Sequence, residues 1–192
     1  MANPTHVVTG KVRFSYEHIM KPYANTTSDP TAEPKYSVTM LIPKSDAATK
    51  ARIDAGIRAA LQQGAKNHKI KDGVPLDKLP TPLYDGDGFR ADGYTPFGPE
   101  CKGMWVMTAS CKSSRKPEVV DANGNPIIDP SDIYSGCWGR VSVDFYAYSV
   151  PGRTGIACGL CNVQKLADGE PLGGSKPTAD DDFGADEDDP LS

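Results

Sequence analysis

Cys158-Gly159-Leu160-Cys161 is the one Cys-x-x-Cys of the chain and the first place to look for a metal or redox centre. A tetrahedral zinc site needs two more ligands, ordinarily a second close pair. Cys101, Cys111 and Cys137 stand alone in the sequence, as do His6, His18 and His68. A thioredoxin-like dithiol would open a helix, whereas Asn162-Val163-Gln164-Lys165 continues with strand character. In a regular strand, residues three apart also face opposite sides. The pair is expected to act as two small hydrophobes, with no metal and no cofactor. Asp85-Gly86-Asp87-Gly88 begins like a calcium loop, but Phe89 holds the next ligand position and Pro96 the place of the bidentate Glu. Turn chemistry explains it better. No P-loop, Gly-x-Ser-x-Gly or His-Glu-x-x-His occurs. The chain is expected to bind rather than catalyse.

Binding chemistry is easier to find. Residues 138–149 alternate cleanly, with Val141, Val143, Phe145 and Ala147 on one face and Arg140, Ser142, Asp144, Tyr146 and Tyr148 on the other. An exposed Arg with two Tyr on one strand supplies a guanidinium for phosphates and rings for base stacking. The same two rings would serve equally well under a loop or under a helix. Lys11 and Arg13 on a polar strand face, and Lys112, Arg115 and Lys116 in one short segment, extend a candidate basic groove. Each alone reads as a solvated charge. Trp105 lies in a strand of mixed faces, where core and stacking roles fit alike.

The net charge of −4 hides an asymmetry. Asp180, Asp181, Asp182, Asp186, Glu187, Asp188 and Asp189 crowd the last fifteen residues, which contain no base. Without those seven the chain holds 21 basic and 18 acidic residues, a balance of +3. Like charges repel, and only Phe183 and Leu191 offer apolar area, so residues 171–192 are expected to be a disordered tail. Such a tail can solvate the protein, imitate nucleic acid in a basic groove, or dock on a basic partner.

The elements that must position these groups read as mainly β. Residues 5–16 suggest a strand with Val8, Val12, Phe14 and Tyr16 on one face and Thr9, Lys11 and Arg13 on the other. A second strand spans about 35–42, with Tyr36, Val38, Met40 and Ile42 inward. One helix follows, with Ser45 as N-cap, Ile53, Ile57, Ala60 and Leu61 as its apolar stripe, and Gly64 closing it. Residues 72–99 form a Gly/Pro/Asp-rich excursion carrying Tyr84, Phe89, Arg90, Tyr94 and Phe97, and loops of that length are usually functional or disordered. Strands resume near 101–112, 117–121, 138–149 and 155–166, with Asn123-Gly124 marking a hairpin turn. Five or more short strands, one helix and long loops fit a partly open barrel or a sandwich. Residues 1–170 are expected to form that domain. No apolar run approaches a membrane span, the N-terminus has no signal-like pattern, and five cysteines is an odd number. These point to the cytoplasm.

Taken together, Ile133-Tyr-Ser-Gly-Cys-Trp-Gly-Arg-Val-Ser-Val-Asp-Phe-Tyr-Ala-Tyr148, Gly155-Ile-Ala-Cys-Gly-Leu-Cys-Asn-Val-Gln-Lys165, Tyr16 with the Lys21-Pro22 loop, and the acidic tail form a pattern. The chain resembles the bacteriophage single-stranded DNA-binding proteins of the OB-fold type with an acidic C-terminal tail. The resemblance implies an OB barrel, ssDNA held by aromatic and basic side chains, and a tail that contacts phage or host polymerase, helicase or recombination proteins in the infected cell. Such tails often end in an aromatic residue; this one ends Asp189-Pro-Leu-Ser192, which leaves Phe183 and Leu191 as rival docking residues. A virion or tail β-sandwich protein and a strand-annealing mediator remain the alternatives. Oligomeric state is not legible.

Overall fold

The computed structural model describes residues 3–172; the acidic positions 180–189, Phe183 and Leu191 lie outside the described residues. Eight strands share one sheet: β1 (His6–Val8), β2 (Val12–Tyr23), β3 (Lys35–Pro43), β4 (Leu83–Asp85), β5 (Met104–Lys112), β6 (Glu118–Val120), β7 (Trp138–Val150) and β8 (Arg153–Ala167). Five of them close on themselves in the order β2–β3–β5–β8–β7. Closure is thin at two seams. β5 meets β8 in parallel only at Ser110↔Gly159, and β7 meets β2 only at Val12↔Gly139 and Arg13↔Trp138. This is the partly open five-stranded barrel of the OB type. The short strands β1, β4 and β6 extend it along β7, β5 and β8.

Alternation fills the barrel as expected along β3 and β7. Tyr36, Val38, Met40 and Ile42 point inward from β3, and Val141, Val143, Phe145 and Ala147 from β7; all are buried. Gly139 sits where β7 squeezes between β2 and β8, and a Cβ there would run into the Gln164 carbonyl and the Phe14 ring. Glycine lets this seam close.

The first strand departs from its expected alternation. The chain turns at Thr9–Gly10, so Val7 rather than Val8 enters the core, and Val8 is 39% exposed. Thr9, expected on a polar outer face, is buried; its hydroxyl accepts from the Val141 amide at 3.0 Å. In β2 Val12 and Phe14 point inward, but the register slips between Ser15 and His18. Tyr16 takes φ = 45° and swings out to 66% exposure, while Ile19 becomes the next core residue.

Helix α1 (Ala47–Lys66) is capped by Asp46 instead of Ser45: its carboxylate accepts from the Thr49 amide at 3.0 Å. The Thr49 hydroxyl donates to the same carboxylate at 2.6 Å and accepts from the Gly10 amide at 2.9 Å, tying the helix start to the β1–β2 corner. Gly64 does not end the helix, which runs on to Lys66; it lies against Ala147 and Ile70, where a side chain would clash. Ile53, Ile57 and Ala60 cover one end of the barrel over β7 and β1, with Leu61 half-buried beside them.

Candidate nucleic-acid interface

The outer surface of β2, β3 and β5 forms a graded stripe. The β3–β5 register pairs Lys35 with Lys112, Ser37 with Ser110, Thr39 with Thr108, and Leu41 with Val106. Partners in an antiparallel pair share a face, so charge gives way to hydroxyls and then to hydrocarbon along the stripe. The Thr39 and Thr108 hydroxyls lie 2.8 Å apart and bind each other. β2 adds Ser15 opposite Thr39, His18 opposite Ser37, and Tyr23 opposite Lys35. The His18 and Tyr23 rings stack at 4.5 Å and 12°. This wall corresponds to the strand 2–3 face on which OB folds receive oligonucleotides.

The 72–99 excursion roofs the apolar end. Leu41, Cys101 and Val106 form a small buried cluster of their own, joined by Tyr84, Phe97, Met104 and Leu172. Between this cluster and Tyr16 lies a cleft of about 320 Å³ that also meets Arg90, Glu100 and Thr108. Tyr84 and Phe97 are tilted at 6.2 Å, and the Arg90 guanidinium sits 5.3 Å from the Phe97 ring centre. Farther out, Phe89 and Tyr94 stand exposed on the same excursion. A bulky non-glycine residue at positive φ is uncommon and clusters at ligand sites. Tyr16 is such a residue, and its ring borders the cleft.

The Asp85-Gly-Asp87-Gly motif is a clamp. Lys44 donates to Asp85 at 2.6 Å and to Asp87 at 2.7 Å, and those contacts hold both carboxyls below their usual range. Asp87 also accepts from the Gly103 amide. The clamp fastens β4 beside β5 and so fixes Tyr84.

The sequence candidates fall in four places. Lys112 ends β5 on the stripe beside Lys35, with Arg115 and Lys116 exposed in the turn that follows. Lys11 and Arg13 lie over the Trp138 ring at 5.4 and 5.9 Å, and Arg13 also donates to the Gly136 and Glu170 carbonyls. Arg140, Tyr146 and Tyr148 occupy a separate wall on β7. Arg140 is exposed and donates to the Thr9 carbonyl, Tyr146 is half exposed, and Tyr148 is half-buried beneath Arg153. Trp105 shares the face of Ile42, packs on the core, and carries Lys44 and Lys50 over its ring, each at 4.8 Å. Tyr16, His18, Tyr23, Lys35, Tyr84, Arg90 and Phe97 were not among those candidates. The length and aromatic content of the excursion signalled Tyr84, Arg90 and Phe97; the irregular register of β2 hides Tyr16, His18 and Tyr23 from any count of periodicity, and Lys35 stands out only through its pairing with Lys112.

Cys158 points into the barrel, where burial pushes its thiol up. Cys161 faces out and donates to Asp144 at 3.2 Å; burial and that carboxylate push it up to about 12. Neither thiol is activated as a thiolate.

The family model described as Enterobacter phage Enc34, ssDNA-binding protein, matches residues 5–191. The chain belongs to this family. A curated relative, putative protein p50 of Acyrthosiphon pisum secondary endosymbiont phage 1, is 32% identical over 153 residues, 78% of each chain. The Enc34 ssDNA-binding protein solved in complex with ssDNA superposes with a TM-score of 0.68 at 32% identity, over 88% of this chain and 90% of that one. Its C-terminal truncation gives 0.67 at 32% identity, over 88% of each chain. Bacteriophage T7 gp2.5, at 17% identity and a TM-score of 0.60 over 92% of this chain and 91% of its own, shares the fold. Among the described residues no helix is long and apolar enough to cross a membrane.

Proposed function

We propose that this member of the Enc34 family coats single-stranded DNA without sequence preference during phage DNA replication or recombination in the infected cell, without catalysing a reaction. The observation that carries the proposal is the β2–β3–β5 stripe, which puts a basic pair, a hydroxyl ladder and an aromatic-bordered cleft in line on the OB ligand face. Tyr16, Tyr84 and the His18–Tyr23 stack offer π-faces to successive bases, and every base has one. Lys35, Lys112, Arg115 and Lys116 draw the phosphates to the other end of the stripe. Stacking on a ring accepts any base, so this mode of binding is tolerant of sequence. The β7 row of Arg140, Tyr146 and Tyr148 is the second track the strand could follow.

The acidic segment acts on the same groove. Leu172, the last described residue, packs in the cluster beside the cleft, and its amide donates to the Ser135 carbonyl. Eight residues later Asp180 begins the acidic run, within a reach of up to about 28 Å. Its carboxylates compete with phosphates for the basic stripe, and when DNA displaces them the segment is free to recruit polymerase, helicase or recombination proteins through Phe183 or Leu191.

A gel-shift series with labelled oligo-dT and a matched duplex at two salt concentrations tests this reading. It expects oligo-dT to bind at micromolar concentration or tighter and to weaken with salt, log K falling by about 0.7 per decade for each phosphate neutralised. No shift, or a shift indifferent to salt, contradicts it and favours a virion structural role.

A further inference from the structure

Three side chains scattered in sequence meet on the outer wall of the barrel, away from the stripe. His6 of β1 lies opposite Asp144 of β7 in the antiparallel register, and its Nδ1 is 2.7 Å from Asp144 Oδ1. Cys161 of β8 reaches the other carboxylate oxygen, Sγ to Oδ2 at 3.2 Å. The imidazole nitrogen, carboxylate oxygen and sulfur all lie within 4.8 Å of one another.

The β7–β8 register explains how Cys161 arrives there. Ser142 pairs with Asn162 and Val143 with Leu160, so Cys161 is the extra residue of a bulge. Bulges re-aim side chains and concentrate at functional sites. Asp144 pairs with Gly159, so Cys161, two residues on, shares its outer face. The β7–β8 register and the β1–β7 register are independent features, and they converge on the same carboxylate.

We propose that His6, Asp144 and Cys161 form a binding site for one divalent zinc-type ion, with solvent completing the coordination. Imidazole, carboxylate and thiolate together suit zinc or cobalt better than the hard, all-oxygen preference of magnesium or calcium. The donor atoms of a tetrahedral zinc lie about 3.3–3.6 Å apart. The two short pairs must open by under an ångström, and the third, within 4.8 Å, must close by up to about 1.2 Å, within reach of side-chain rotation. His6 is exposed and Asp144 half-exposed, which gives the ion a path from solvent. On binding, the thiol proton that Asp144 now accepts passes to solvent, and the cation replaces it between sulfur and carboxylate. The ion would staple the edge strand β1 to β7 and β8. Only one half of the Cys-x-x-Cys takes part, because Cys158 is inside the barrel.

Cobalt titration of the reduced full-length protein, in excess Mg²⁺ to occupy the acidic segment, tests the site. The expected result is one Co²⁺ per chain with a near-ultraviolet thiolate-to-cobalt charge-transfer band, displaced by Zn²⁺. Cys161→Ser should remove the band, and His6→Ala, on an exposed edge, should weaken Zn²⁺ binding by at least about tenfold. Alkylation of the unmodified protein, mapped by mass spectrometry, gives a readout that needs no variant: Zn²⁺ should protect Cys161 and leave Cys111 unchanged. Absence of the band, its persistence in Cys161→Ser, or equal alkylation of Cys161 with and without Zn²⁺ each overturns the site.

Discussion

The barrel shows two very different outer walls. The β7 wall is regular: Arg140, Ser142, Asp144, Tyr146 and Tyr148 follow strict alternation, and every second residue between them is core. The β2–β3–β5 wall is assembled from pieces. Its stripe comes from two strands in register, its Tyr16 from a bulge, and its roof from an excursion with one three-residue strand in it. A clean pattern in sequence marks where the backbone is regular, and that is not the same as where a ligand has room to sit.

The comparison can be broken first on β7 itself. Phe145 and Tyr146 are neighbours with opposite environments, one buried and one half exposed. Phe145→Ala should cost about 3–5 kcal/mol, visible as an early denaturant midpoint, whereas Tyr146→Ala should leave the midpoint nearly unchanged. Equal losses would mean that the β7 wall is covered.

The next effect separates the walls in binding. Tyr16→Ala and Tyr84→Ala should each weaken oligo-dT binding by about 1–3 kcal/mol, the worth of one stacked base, or roughly five- to hundredfold. Tyr146→Ala should change it less than either in the same anisotropy titration. Both walls falling together would describe a strand that wraps the barrel.

Removing residues 178–192 should tighten oligo-dT binding severalfold at low salt and progressively less as salt rises, because screening weakens the competing carboxylates. Identical curves for truncated and full-length protein would reduce the segment to a solubility device. The smallest effect belongs to the ends of the stripe. Lys35→Ala and Lys112→Ala should each lower the salt slope by about 0.7 if each neutralises one phosphate, while Lys50→Ala, a cation beside Trp105 and off the stripe, should leave it unchanged.

Much of the fold was legible because burial enforces alternation. The inward rows of β3 and β7 and the helix stripe of Ile53, Ile57 and Ala60 follow from spacing alone. The break at Thr9–Gly10 was not, since it depends on the Thr9 hydroxyl finding the Val141 amide across the sheet. The helix cap moved one residue for a similar reason: Asp46 is held by Thr49, which is itself held by Gly10. The candidate interface was half visible. Composition and length marked the 72–99 excursion, and charge marked Lys112, Arg115 and Lys116, but Lys35 gained meaning only from its register partner. His6, Asp144 and Cys161, from three strands, could not be joined by any spacing rule.

The central claim is that ssDNA follows the β2–β3–β5 wall. Photo-crosslinking of the full-length protein to halogenated oligo-dT, with the modified peptides mapped by mass spectrometry, tests it most directly. The account predicts adducts at Tyr16, His18 or Tyr23 and at Tyr84, Phe89, Tyr94 or Phe97, all suppressed by unlabelled oligo-dT. Adducts confined to Tyr146 and Tyr148 would contradict it and move the strand to the β7 wall.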